Sequence, residues 1–233
     1  MLFFPSAYPD ELLFSLLSRY FVRSGNISFK GTLDDLFSNR SLTTSISLPS
    51  GISSLVKNMP PYSTMNEEQL IHQHTLYLFS TALLPDGQAK SIYEAMCSDD
   101  GKGIYVRSGL NASGVPQNEF LRYCNECVKE DIEVYGELYW HRSHQISGID
   151  CCLKHFTPLY NSSIKVVDSN KHRFAIPTLE NCSAKKNVFD GVAEKTISEY
   201  IEHCKKLKEG ILQLMNQPYE HHPLNWFNQK YSN

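Results

Sequence analysis

Two short pairs of ligand residues constrain this chain more than any other feature. Cys124-Asn-Glu-Cys127 is followed, after 24 intervening residues, by Cys152-Leu-Lys-His155. A C-x2-C pair forms a tight knuckle whose two thiolates converge on one ion, and a second such pair completes a tetrahedron. Three thiolates and one imidazole are a common structural zinc set, and soft sulfur ligands select zinc over magnesium or calcium. The expected cofactor is therefore one structural Zn2+, held by Cys124, Cys127, Cys152 and His155, with no coordination position left for a catalytic water. Two rival readings stand beside it. A C-x-x-C pair can be a redox motif, which wants a strand before it and a helix at the second cysteine, but that leaves Cys152 and His155 unexplained. The cysteines can also be unligated core residues. Cys151 competes with Cys152 through a C-x3-H spacing to His155; knuckle symmetry favours Cys152.

Cysteine usage also indicates the compartment. There are seven cysteines, an odd number, and four of them fall within 29 residues. In a reducing environment that clustering favours a metal over disulfides. Cys97, Cys182 and Cys204 read as ordinary buried or half-buried thiols. The opening MLFFPSAYPDELLFSLLSRYF lacks a basic leader and breaks its apolar run with Pro5, Pro9, Asp10 and Glu11, so no secretory signal is expected. No apolar stretch approaches the ~18 residues of a membrane span. A cytoplasmic protein without a membrane partner follows. The 233 residues carry a net charge of −3, which argues against coating nucleic acid by bulk electrostatics and leaves room for a local basic face.

The fold class expected is mainly α, with a small zinc-knuckle module. Residues 1–115 read as a helical, helix-turn-helix-like bundle, 116–182 as the zinc module, and 183–233 as a C-terminal helical segment. Pro9, Asp10 and Glu11 suit a first helical turn, followed by Leu13, Leu16, Leu17 and Tyr20 at helical spacing. Further helices are expected around Leu33 and Phe37, from Pro49 through Val56, from Asn66 through Phe79, and over Ala89–Met96, with Pro85-Asp86-Gly87 as a turn. Ile164–Val167 and Phe174–Ile176 lean toward strand. Glu194 to Asn216 forms one amphipathic helix, and residues from Leu224 resemble the start of another.

Motifs for catalysis are lacking: no G-x-S-x-G elbow, no phosphate-binding loop, no H-E-x-x-H. Asp99-Asp100 reads as loop. His141 and His144 lack a local carboxylate or cysteine to complete a second metal site, so packing or surface roles are expected. His72 and His74 point apart on a helix, and His221-His222 reads as loop.

The cysteine region resembles a known family. Arg122-Tyr-Cys-Asn-Glu-Cys127, Tyr135-Gly-Glu137, Tyr139-Trp-His-Arg142, Gln145 and Cys152-Leu-Lys-His155 together resemble the signature of the TniQ/TnsD family of transposon target-selection proteins. Pro5 and Tyr8 with Asp10-Glu11-Leu12, Ser15 and Arg19 resemble its opening helix, and Gln69–Leu76 resembles the TnsD branch. Asn125 and Leu153 stand where many relatives have proline; neither supplies a ligand. A second zinc ribbon found in some relatives has only Cys182 and Cys204 to draw on here. The TnsD type usually continues well beyond this length, so the chain is expected to be a fragment or a short relative.

The resemblance implies a recruiting function, not an enzyme. Such proteins recognise double-stranded target DNA, directly or through an RNA-guided CRISPR effector complex, and recruit an AAA+ ATPase (TnsC-like) that activates the transposase. Phosphate contacts are expected among Arg122, Arg142 and Lys154 near the zinc site, and Arg19, Arg23, Lys30 and Arg40 in the helical part. A zinc-containing transcription regulator is the alternative, and a zinc hydrolase or nuclease a further one.

Overall fold

The computed structural model describes residues 1–43, 45–109 and 114–218. Seven helices precede the cysteine region: α1 (Leu13–Ser24), α2 (Phe29–Phe37), α3 (Ile52–Asn58), α4 (Glu67–His74), α5 (Tyr77–Thr81), α6 (Asp86–Cys97) and α7 (Ile104–Arg107). A short strand β1 (Phe120–Tyr123) then leads into α8 (Asn125–Tyr135). A 3-10 turn at Ser143–Gln145, a second strand β2 (Tyr160–Lys165) and the long α9 (Glu194–Asn216) complete the described chain. The expectation of a mainly helical protein with a small non-helical module holds.

The helices form where apolar spacing and end signals agree. Ser28 caps α2 by accepting a hydrogen bond from the Gly31 amide, and Asn66 with Gln69 builds a reciprocal capping box on α4. Gly25, at φ 73°, ends α1 in the left-handed region that glycine adopts without a side-chain penalty. Leu13, Leu16, Leu33, Leu36, Ile52 and Leu55 are at 0 % exposure. They meet Leu70, Ile71, Ile92 and Met96 in one continuous core across α1 to α6.

Three local expectations need correction. Asp10 and Glu11 do not open α1. Asp10 has φ 55°, and Glu11 pairs as a β-bridge with His141, so both acids are drawn into tertiary contacts before the helix begins. The helix expected to run from Asn66 through Phe79 breaks at Thr75, whose backbone is extended and whose hydroxyl bonds the Ile71 carbonyl; the next amide, Leu76, goes to the Ser47 carbonyl. Asp86 and Gly87, expected in a turn, form the first turn of α6, with Pro85 at its N-cap.

Strands β1 and β2 pair antiparallel, with Arg122 opposite Asn161, Tyr123 opposite Tyr160, and a bulge between Phe120 and Arg122. Ile164 lies in β2, whereas the segment at Phe174–Ile176 forms no strand. It serves as a bracket: Ala175 accepts from the Trp140 indole and its amide donates to Ser18 on α1, while Phe174 enters the helical core. α9 spans the predicted range and packs on α4 and α5. The segment from Leu224 and the pair His221-His222 lie outside the described residues. Among the described residues no helix is long and apolar enough to cross a membrane.

Candidate metal centre

The two knuckles meet off one end of the β1–β2 pair. Tyr123 closes β1; Cys124 is the N-cap of α8, and Cys127 lies in its first turn. Cys152 and His155 sit on the turn that precedes β2. That turn is fixed by the Cys152 amide donating to the Thr157 carbonyl and the Phe156 amide donating back to the Cys152 carbonyl, both at 2.8 Å. Phe156 takes φ 54° to close it.

The four side chains offer ligand atoms that all lie within 4.8 Å of one another. His155 Nδ1 is 3.6, 3.4 and 3.7 Å from the sulfurs of Cys124, Cys127 and Cys152. Cys127 Sγ is 3.7 Å from Cys152 Sγ. A tetrahedral ion bonded at about 2.3 Å to sulfur and about 2.0–2.1 Å to nitrogen requires edges of about 3.8 Å between sulfurs and about 3.6 Å from sulfur to nitrogen. The quartet therefore fits one tetrahedral metal ion.

Electrostatics agree with that fit. Hydrogen bonds from Cys127 and Cys152 pull the Cys124 thiol far down. Its partners go the other way: sharing hydrogen bonds with Cys124 pushes Cys127 well up, and Cys152 up to about 11. Without a cation, the cluster holds one thiolate comfortably and resists the others; a divalent ion lets all three ionise together. Burial works against charge on His155, but the Glu130 hydrogen bond and the Cys124 sulfur raise it overall.

Cys151 faces elsewhere. It forms a β-bridge with Pro158, and burial and the neighbouring Cys204 thiol raise its pKa. It is absent from the close group of four. The strand-then-helix setting of Cys124 and Cys127, which the redox reading asks for, is present; Cys152 and His155 closing on the same point distinguish the site from a bare dithiol.

Several residues around the quartet were not assigned to it from the sequence. Glu130 Oε1 lies 3.1 Å from His155 Nε2 and also pairs with Lys154. The Thr157 hydroxyl lies 3.3 Å from Cys124 Sγ, and the His155 amide donates to Cys152 Sγ at 3.4 Å. His144 is 2 % exposed, with Nε2 3.7 Å from Cys127 Sγ. Cys127, His141 and His144 form a second close group. Glu130 was findable: it lies one helical turn beyond Cys127, on the same face. His144 was not, because only the tertiary fold carries it back to the cluster.

The basic residues divide sharply. Arg19, Arg122 and Arg142 are each 3 % exposed, which corrects their reading as phosphate contacts. Arg122 donates to the carbonyls of His144 and Ile146 and to Asp150. Arg142 ties Asp10 to the His72 and Met215 carbonyls and to Asn216, so it joins the N-terminal segment, α4 and the end of α9. Arg19 meets Glu11 at 2.9 Å and Glu137 at 2.9 Å, and lies 3.9 Å above the Tyr8 ring. These guanidiniums are consumed as internal cross-links. Arg23 is half-exposed but held by Glu137, and Lys154 is exposed beside Glu130. Lys30 and Arg40 are exposed on and just after α2, but the same helix exposes Asp34 and Asp35. The face is mixed in charge, with both signs exposed side by side.

A ring ladder links the two regions. Tyr8 lies tilted against Tyr139 at 5.1 Å, Tyr139 stacks on His141 at 4.2 Å, and His141 on His144 at 4.7 Å. The backbone joins them too, with Leu12 donating to the Trp140 carbonyl and Trp140 donating to the Ser15 hydroxyl.

Comparison with known proteins agrees with this layout. The TniQ family model matches residues 2–159, which takes in the helical region and all four ligands. The transposon Tn7 transposition protein TnsD of Escherichia coli is 27 % identical over 171 residues, covering 73 % of this chain and 33 % of that protein. The chain thus spans about a third of the length of that relative.

Proposed function

The chain belongs to the TniQ family, and from that premise we propose that it selects target sites for DNA transposition, contacting target DNA and recruiting an AAA+ ATPase that regulates the transposase. The observation that carries the proposal is the family match across residues 2–159, reinforced by the likeness to a Tn7 transposition protein. The family is one of non-catalytic transposition adaptors, and the chain is not an enzyme. A closed ligand set agrees: four protein ligands leave the ion no open position to activate water.

The metal is zinc, one per chain, held by Cys124, Cys127, Cys152 and His155. Its role is structural. It pins the Cys124 end of α8 to the Cys152–Thr157 turn, ordering loops that a small apolar core cannot order. The Arg19, Arg142 and ring-ladder contacts then make the helical region and the metal module one platform, and irregular loops fixed on a rigid support suit recognition. The same contacts cross the boundary proposed between units 1–115 and 116–182, while 183–233 adds α9 as a brace.

With Arg19, Arg122 and Arg142 committed internally, DNA contact falls to exposed cations such as Lys30, Arg40, Arg23 and Lys154. Few phosphates are neutralised by such a set, so affinity for DNA is modest and falls with salt. The protein works in the bacterial cytoplasm, at the nucleoid.

Binding of the full chain to the ATPase encoded with it, with and without target duplex, tests the reading. A ternary complex that forms more tightly than either pair is expected. Failure to bind that ATPase in both conditions, with target selection in cells unaffected by deleting the gene, overturns it. Copurification of guide RNA and effector subunits would mark the RNA-guided route; its absence, with direct footprinting on duplex, marks the direct one.

A further inference from the structure

Two of the quartet's side chains are braced by neighbours outside it, His155 by Glu130 and Cys127 by His144. The Glu130 carboxylate faces His155 Nε2 at 3.1 Å while Nδ1 faces the sulfurs. Hydrogen bonding at Nε2 fixes which nitrogen carries the proton and leaves Nδ1 free for the metal. His144 Nε2 faces Cys127 Sγ at 3.7 Å, and His144 Nδ1 is buried without a hydrogen-bond partner.

The tautomer of His144 follows from those two facts. A proton on Nδ1 would be a buried N–H with no acceptor, and the bare Nε2 would face sulfur lone pairs. A proton on Nε2 points at the sulfur and leaves only an acceptor unpaired, the less costly orphan. The ring is held in that pose by stacking on His141 at 4.7 Å, and His141 is anchored in turn by Asp131 at 2.9 Å.

We propose that Glu130 and His144 are positioning residues of the metal centre, the first orienting His155 by accepting from Nε2–H, the second holding Cys127 by donating Nε2–H to its sulfur. This rests on the metal reading above. It also gives the second group, Cys127, His141 and His144, a role other than a second ion: His141 donates its Nε2 hydrogen bond to Asp131 and serves as the platform on which His144 rests. The two braces act on the two ligands that stand 3.4 Å apart, the shortest of the ligand distances given above.

Zinc content and competition with a chromophoric chelator, measured on the full chain, separate the outcomes. The native chain tests the metal reading; the variants test the braces. One zinc per native chain is expected. Glu130→Ala and His144→Leu should each lower zinc affinity by about 10- to 100-fold. Glu130→Gln keeps an acceptor oxygen and His144→Gln keeps an amide N–H, so both should remain within a few-fold of native. Cobalt substitution checks that the same three sulfurs and one nitrogen ligate in every variant, and far-UV circular dichroism with metal bound checks the fold. Native-like affinity in both truncations overturns the proposal. So does a native chain with two zinc ions that loses one of them in His144→Leu, since that makes His144 a ligand. A native chain that binds no metal defeats the metal reading itself, and the braces with it.

Discussion

The helical region and the cysteine region are held together by different forces. Across α1 to α6, large aliphatic side chains such as Leu16, Leu36, Ile52 and Leu70 are sealed at 0 % exposure in one core. Around the quartet, the apolar cluster shrinks to the three ligand cysteines and Leu159, with Val188 beside them. Polar anchors add to it there: Arg122 on the 144–150 loop and Glu130 on His155. One region has the buried apolar area to fold from its own pattern; the other gathers four side chains that could hold an ion.

Changes to the ligands should separate the regions most. Apparent binding energies of structural zinc run to about 10–16 kcal/mol, far more than any single core contact. Cys152→Ser is expected to lose the metal and melt the segment from Cys124 to Leu159, while α2 and α3 keep their helical signal; elemental analysis with circular dichroism checks this. Cooperative loss of the whole helical signal would show that the regions are not separable.

The seam between the regions comes next. Arg19→Met leaves Glu11 buried without its partner, and breaking a buried pair from one side costs about 3–5 kcal/mol. Glu11 is already pushed up by burial, opposed by Arg19; with the arginine gone it should take up a proton nearer neutral pH. A group whose folded pKa is raised favours the folded state below that pKa and loses the benefit as pH rises through it. Urea denaturation of Arg19→Met should therefore show a larger deficit at pH 8 than at pH 5. An equal deficit at both would place the loss in packing alone.

A purely apolar change should leave the metal untouched. Leu36→Ala is expected to cost about 2–5 kcal/mol with zinc content unchanged, read by denaturant melts and elemental analysis on one preparation. The smallest effect is expected at the neighbour of a ligand. Cys151→Ser should keep the full metal content and lose at most about 1–3 kcal/mol from a buried hydroxyl; loss of the metal would move the ligand by one position.

The same contrast explains what the sequence revealed. The candidate ligands stood out because knuckle spacing is local: Cys124, Cys127, Cys152 and His155 are close in pairs along the chain, and only the meeting of the pairs is tertiary. α9 was legible to the residue through a long uninterrupted apolar period. β1, by contrast, is four residues long, too short for a pattern, and α7 is no longer. The helix break at Thr75 and the late start of α1 are set by distant partners, Ser47 and His141, which no local propensity contains. The arginines were misread for a related reason. Arg19, Arg122 and Arg142 look like a basic surface in one dimension, but their acceptors are mostly backbone carbonyls and acids far along the chain. Burial decided their role, and burial of a charged residue follows from its partners rather than from its neighbours in sequence.

Hydrogen–deuterium exchange with and without a zinc chelator tests this division most directly. The amides around Cys124–Val128 and Cys152–Tyr160 should lose protection when the metal is withdrawn, while the interiors of α2, α3 and α6 retain theirs. Unchanged exchange around the quartet, or uniform loss over the whole chain, would contradict it.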